Sequence, residues 1–369
     1  MASRVFGMYR SGGRQYVFSE DRNVPLDATL LLPRLTTQRE WKMKLKHRII
    51  NGILLRIGYP RIRGIIAKQK SVSQFPNALT STSNSPTRFE IPLEAITMMK
   101  EREDFEMKQT FPMRRMLSIM RNINLTIDSL NENPVSPTNG TSGDFIDELK
   151  EFAYSQGVDI IHFTKLPQDL IFQEFGILFD NAIVLAMEMS QEKIDQAPSQ
   201  VTFKMVFDTY DSLGIAANKI AAFLREHGYA AQADHPLGGT ALFPPLAQKA
   251  GIGFVGKHGL LITPRFGPRV RLAAVYTSVR NLPDSKENNH SWIEEYCKAC
   301  GRCINECPPQ AIRQETLVHD SGLRTDIIQQ SCFEYFVEFY GCSVCIKVCP
   351  FSKGPEAYER LKKVVEKQS

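Results

Sequence analysis

The 369-residue chain has no run of about 18 apolar residues, which excludes a membrane-spanning helix of ordinary length. Its opening, MASRVFGMYRSGGRQYVFSE, has neither the apolar core of a signal peptide nor a twin-arginine pair. These absences predict a cytoplasmic protein. Cysteine is missing before residue 297, and all eight cysteines fall between Cys297 and Cys349. Such crowding leaves none for a dispersed disulfide framework and suits metal ligation in a reducing compartment. Acidic residues are missing from Trp41 to Arg88. Residues 1–120 carry 21 Lys+Arg against 10 Asp+Glu, whereas the remainder carries 24 against 30. The segment 41–70, WKMKLKHRIINGILLRIGYPRIRGIIAKQK, mixes basic and apolar residues. It suits the inner surface of a membrane, an acidic partner protein or nucleic acid, as well as a plain solvated face.

Two punctuated stretches interrupt the chain. Residues 71–89 are rich in Ser, Thr, Asn and Pro and read as loop; residues 131–143, NENPVSPTNGTSG, read as a boundary. Beyond it the pattern becomes regular. Ser142 is placed to cap a helix with Phe145, Leu149 and Phe152 on one face, and Gly157 to end it. VDIIHFT (158–164), NAIVLAMEM (181–189), GLLITP and VRLAAVYTSV read as strands. Residues 201–228 read as a long helix with a break near Gly214, and PPLAQKAG as a short one. Alternating helices and strands predict an α/β or α+β layer. The expected organisation is a basic extension over 1–140, a core over 141–290, a cysteine domain over 291–355 and a tail over 356–369.

The cysteines form two motifs, Cys297-x2-Cys300-x2-Cys303-x3-Cys307-Pro308 and Cys342-x2-Cys345-x3-Cys349-Pro350, with Cys332 upstream of the second. A tight loop supplies three thiolates to one cubane cluster, and the fourth cysteine of such a run ligates the neighbouring cluster. This rule predicts one [4Fe–4S] cluster on Cys297, Cys300, Cys303 and Cys349, and another on Cys307, Cys332, Cys342 and Cys345. Zinc is the competing ligand set, but it favours cysteine pairs separated by longer loops. Two adjacent clusters make a short electron wire.

The order PLAQKAGIGFVGKHGLLITPRFGPRVRLAAVYT, first cysteine motif, lone cysteine, then GCSVCIKVCPFSKG resembles the corrinoid-dependent reductases over roughly residues 143–355. That group contains the reductive dehalogenases and the epoxyqueuosine reductases. AGIGFVGKHG (250–259) and CFEYF are similar to the second branch; LITPRFGPRVRL, LREHGYAA and CPFSK are similar to the first. The resemblance implies a nitroreductase-like core holding a base-off cobamide, with a bacterial ferredoxin-like domain delivering electrons. It also implies a small-molecule substrate and a ferredoxin- or flavodoxin-like donor, or, in the second branch, tRNA. A protein histidine ligand to cobalt usually reads Asp-x-His-x-x-Gly; here Ala233 stands where the Asp belongs before His235 and Gly238.

The resemblance further implies a proton donor above the cobalt, a tyrosine with a nearby Lys or Arg in one branch and an aspartate in the other. FDTYDSL (207–213) is the matching region, and Tyr210 the matching tyrosine. A tyrosine is a poor acid–base group near neutrality unless a cation stabilises its phenolate; Lys257 is the expected cation. Asp208 and Asp211 are alternative donors, while the aspartate of the second branch falls on Thr209. Gly251, Gly253, Gly256 and Gly259 would let backbone approach a bulky cofactor, with Lys257 and His258 lining it. Arg269 is a candidate for cobamide phosphate or amide groups.

Overall fold

The computed structural model describes residues 9–11, 14–16, 58–101, 108–284, 288–320 and 322–367. It comprises two compact units, Met1–Ile50 and Asn51–Ser369. In the first, β1 (Tyr9–Ser11) pairs antiparallel with β2 (Arg14–Tyr16). The rest of the architecture belongs to the second. Of the basic segment 41–70, residues 41–57 lie outside the described residues.

The second unit opens with α1 (Tyr59–Ser71), β3 (Leu79–Thr80), α2 (Ile91–Glu101) and α3 (Met113–Asp128). These were expected to form an extension reaching residue 140. They pack against the body, where buried polar groups tie them down. Arg88, within the stretch read as loop, donates to the Gly238 and Gly239 carbonyls and to Gln69 Oε1. Its guanidinium also lies 4.0 Å over the Phe175 ring. An arginine that is 8% exposed and fully engaged acts as a rivet.

Ser142 caps α4 (Gly143–Ser155) by accepting from the Phe145 N–H. There follow β4 (Ile160–Lys165), β5 (Gly176–Ile177), β6 (Asn181–Glu188), α5 (Gln200–Glu226), β7 (Ala231–Asp234), α6 (Phe243–Lys249), β8 (Phe254–Val255), β9 (Leu261–Ile262) and β10 (Val270–Thr277). The central sheet has the order β4-β6-β10-β7 and is antiparallel throughout. Ile183, Leu185 and Met187 face α4 and α5, while Ala182, Val184 and Ala186 face α6 and the segment around Ile171 and Phe175. Burial of both faces explains why β6 reads as a continuous apolar run rather than an alternation. Each fully buried Ile or Leu contributes about 1.5–3 kcal/mol.

Two expectations change here. The helix does not break at Gly214: α5 runs unbroken for 27 residues. Glycine stands there because the His235 ring lies on it; a Cβ would sit 2.0 Å from His235 Nε2. The strand read in GLLITP shrinks to Leu261–Ile262, because Thr263 and Gly267 exchange hydrogen bonds and close the chain into a turn.

The cysteine segment contains α7 (Trp292–Cys300), a helical turn at Arg302–Asn305, the hairpin β11 (Ile312–Val318) and β12 (Arg324–Ile327), α8 (Gln329–Glu338) and α9 (Val344–Val348). The expected tail is α10 (Pro355–Glu366), which buries Ala357, Tyr358 and Leu361. Tyr358 packs against Trp292 and Phe351, so this helix closes the cysteine domain. Among the described residues no helix is long and apolar enough to cross a membrane.

Candidate functional site

Cys297, Cys300, Cys303 and Cys349 line one recess, while Cys332 and Cys345 both feel the charges of Cys307 and Cys342. Burial raises the Cys349 thiol far above its ordinary range, opposed by the Phe351 N–H and reinforced by Cys297, Cys303 and Cys300. Burial pushes Cys303 to about 11, reinforced by Cys297 and Cys300. In the other set burial pushes Cys332 to about 11, reinforced by Cys342 and Cys307. Cys345 is raised first by burial, then by Cys342, Cys332, Cys303 and Cys307. Cys303 is thus where the two sets approach each other. Thiols held this way keep their protons unless a metal supplies the positive charge that makes thiolates.

Backbone N–H groups prepare both sets for that charge. Burial raises the Cys297 and Cys342 thiols, and the Lys257 and Val344 N–H groups oppose it respectively. The Ala311 N–H lies 3.3 Å from Cys307 Sγ. The reversal before α9 places Tyr340, Gly341, Cys342 and Ser343 at positive φ in succession. Three of these are not glycine, so this backbone stores strain at a ligand. Lys257, His258, Tyr296 and Phe351 line one recess together with Cys297, Cys300, Cys303 and Cys349. Four thiols and nearby N–H donors suit, by their chemistry, a compact group that accepts thiolates.

The glycine-rich turn faces this first set. Gly253 is required by close approach, since a Cβ would lie 2.1 Å from the Ile262 carbonyl oxygen. Gly259 has φ +72° and allows the chain to turn back into β9. Lys257 was expected beside Tyr210 and is not its cation. Its ammonium donates to Asp326 at 2.7 Å and to Thr316 at 3.0 Å, and both partners come from the β11–β12 hairpin. His258 is buried, with Nδ1 accepting from the Leu260 N–H and Nε2 without a partner. Burial lowers its pKa to about 4, opposed by the charge of Asp326.

Tyr210 lies on α5, half-buried among Met189, Met205, Val206, Leu260 and Ile346, and Cys345 packs on the same group. The cation over it is Arg271 of β10, whose guanidinium carbon is 3.7 Å from the ring centroid. Arg271 also donates to Met189 Sδ, and its buried Nε has no partner. The Tyr210 hydroxyl makes no hydrogen bond to a described residue. Asp208 and Asp211 are both bridged by Arg115 of α3, at 2.7 and 3.0 Å, so each is held as the carboxylate of an ion pair. Hydrogen bonding to Asp211 is the largest cause raising the pKa of Arg115.

Arg269 also has a different role from the expected one. It donates to Ser352 O, Glu188 Oε1 and Met189 O, locking the sheet to the cysteine domain and leaving no fork for a phosphate. His235 is unavailable as a cobalt ligand: Leu237 occupies Nδ1, and Nε2 is wedged against Gly214. Arg115 and Arg88 escape a motif search, because a basic residue far upstream carries no signal of its eventual partner.

Residues 296–353 match the 4Fe-4S dicluster domain family, and this part of the chain is such a domain. The homologues of the chain are reductive dehalogenases and epoxyqueuosine reductases. The tetrachloroethene reductive dehalogenase of Dehalobacter restrictus is 36% identical over 170 residues, covering 46% of this chain and 30% of that relative. This chain therefore matches less than a third of that protein's length. The epoxyqueuosine reductase of Lactococcus garvieae is 30% identical over 116 residues, covering 30% of this chain and 31% of that relative. A solved reductive dehalogenase, described as suggesting a mechanism for B12-dependent dehalogenation, shares the fold. Its TM-score is 0.54 at 20% identity, covering 67% of this chain and 40% of that one.

Proposed function

We propose that this chain is a cobamide- and iron–sulfur-dependent reductase of the reductive dehalogenase kind, with a nitroreductase-like core. The observation that carries this reading is Tyr210, stacked under Arg271, its hydroxyl without a partner among the described residues, on the apolar group that also packs Cys345. When bound, the cobamide supplies the low-valent metal that accepts electrons and breaks a carbon–halogen bond. Replacing the halide by hydrogen takes two electrons and one proton. Tyr210 holds that proton, and the Arg271 guanidinium stabilises the phenolate left behind. The surrounding Met189, Met205, Val206 and Leu260 exclude water, which strengthens this stabilisation. With clusters bound, the first set would receive electrons, and the second, whose Cys345 packs on the Tyr210 group, would hand them on.

The electron donor is ferredoxin- or flavodoxin-like. A recess beside Cys349, bordered by Arg302, Lys347 and Lys353, offers such an acidic carrier a landing place next to the first cluster.

The test is anaerobic purification with cobalamin supplied, followed by iron, sulfide and cobalt analysis and halide release from halogenated substrates. Two cubane clusters require about eight iron per chain, and the proposal requires stoichiometric cobalt. Iron without cobalt would overturn it and leave an electron-transfer subunit. The match to epoxyqueuosine reductase favours a second reading, reduction of a modified base in tRNA. Against it, Thr209 occupies the expected aspartate position, and its buried hydroxyl donates to the Val206 carbonyl at 2.9 Å. Salt-sensitive tRNA binding with turnover would favour that reading over dehalogenation.

A further inference from the structure

His258 is 3% exposed and lines the space enclosed by Cys297, Cys300, Cys303 and Cys349. The Leu260 N–H donates to its Nδ1 at 3.2 Å. That bond needs a lone pair on Nδ1, so the proton of the neutral ring is on Nε2. The Nε2–H is therefore a buried donor, and no described residue accepts from it. The nearby carboxylate, Asp326, is already engaged by Lys257 and Thr316. A buried donor left unsatisfied is costly, so an acceptor is expected in the recess that the four cysteines line. The tight turn holds the ring in place: a Cβ on Gly256 would be 3.1 Å from His258 Cε1.

We propose that His258 donates an Nε2–H···S hydrogen bond to the first [4Fe–4S] cluster and raises its reduction potential. The reduced cluster carries one more negative charge, so a fixed N–H donor stabilises it more than the oxidised form. His258 is a positioning residue for electron transfer, not a group that touches substrate. The second set has no histidine counterpart: its identified donors are the backbone N–H groups of Ala311 and Val344. The inference rests on the cluster assignment and not on cobamide or substrate.

The experiment is an anaerobic dithionite titration of the full chain, followed by electron paramagnetic resonance, comparing wild type with His258→Leu and His258→Gln. One hydrogen bond to a charged group changes an equilibrium by about tenfold or more. The Leu variant is therefore expected to show about a tenfold lower ratio of reduced to oxidised first cluster at fixed potential. For a one-electron couple this is about 59 mV. The second cluster should be unmoved, and Gln, whose amide can donate from a similar reach, should recover part of the shift. An unchanged first potential in a Leu variant with full iron content overturns the proposal. Should that variant lose iron, wild-type protein labelled with 15N-histidine decides. A pulsed-resonance nitrogen coupling to the reduced first cluster supports the bond, and its absence overturns it.

Discussion

Arg271 and Lys257 put a positive charge to opposite uses. Lys257 spends its charge on Asp326 and Thr316, and so joins the glycine turn to the hairpin of the cysteine domain. Among the described residues Arg271 has no carboxylate partner and its buried Nε no acceptor; it lies on the Tyr210 ring. A neutralised cation holds two elements together and does little to a third group. An unneutralised cation over an aromatic face remains available to stabilise charge when a proton leaves. The difference separates a structural junction from a candidate reaction centre, though both residues are basic and lie close together along the chain.

The largest test of this contrast is Tyr210→Phe, which keeps the ring under Arg271 and deletes the hydroxyl. Removing a positioned acid should lower halide release by about 10²–10⁴-fold, with iron and cobalt contents unchanged. Retained turnover would remove Tyr210 from the chemistry. Arg271→Met should follow with a loss of about tenfold, the share of a desolvated cation–π contact of roughly 1–2 kcal/mol. Chain stability should change little by comparison. Lys257→Met should show the reverse pattern. Asp326 is only 12% exposed, and leaving it unpaired should cost about 3 kcal/mol of stability, read as a lowered midpoint of chemical unfolding. Equal effects of the two substitutions on turnover would erase the distinction.

The smallest effect concerns two adjacent buried groups beneath the site. Burial holds His235 neutral, its pKa lowered from 6.5 to about 3. Burial raises the Asp234 carboxyl from 3.8 to about 6, against the Thr240 and Tyr276 hydrogen bonds. Below its unfolded pKa the histidine takes up a proton only on unfolding, so its contribution to stability falls as pH drops below 6.5. The aspartate contribution has the opposite sign: it is full below 3.8 and is lost as pH rises toward 6. Between about pH 4 and 6 the two slopes offset each other. Asp234→Asn should expose the histidine slope, with stability falling by about 1.4 kcal/mol per pH unit below 6.5. Thermal melts of the variant and the parent at pH 5 and 7 check this, and parallel curves would count against it.

Much of the cysteine domain was legible in advance, because its information is short-range. Two-residue gaps dictate what a single turn of backbone can wrap around, and the structure brings Cys349 back to Cys297, Cys300 and Cys303. Helix α4 was equally readable from its Ser142 cap and its apolar stripe. The lower face of the core was less so. Gly214 looked like a helix breaker, since nothing local shows that His235, just after β7, will lie on it. Arg88 sat in a stretch with every mark of a loop, yet it is buried by carbonyls 150 residues away. The charges misled for the same reason: Arg269 has the chemistry of a phosphate ligand, but the Ser352 carbonyl claims it first.

What the sequence by itself determined is therefore the set of thiols, whose spacing goes with the match to a dicluster domain, and the alternation that buries a sheet on both faces. These depend on backbone reach and side-chain period, which are local. Only the tertiary structure decided which cation meets Tyr210. Antiparallel pairing of β10 with β6 sets Arg271 opposite Met187, and packing of α5 against that sheet brings the guanidinium over the tyrosine ring. Lys257 is carried away with the glycine turn to the hairpin. Ion pairing and stacking act over a few ångströms, so their partners are chosen by strand register and helix packing and not by distance along the chain.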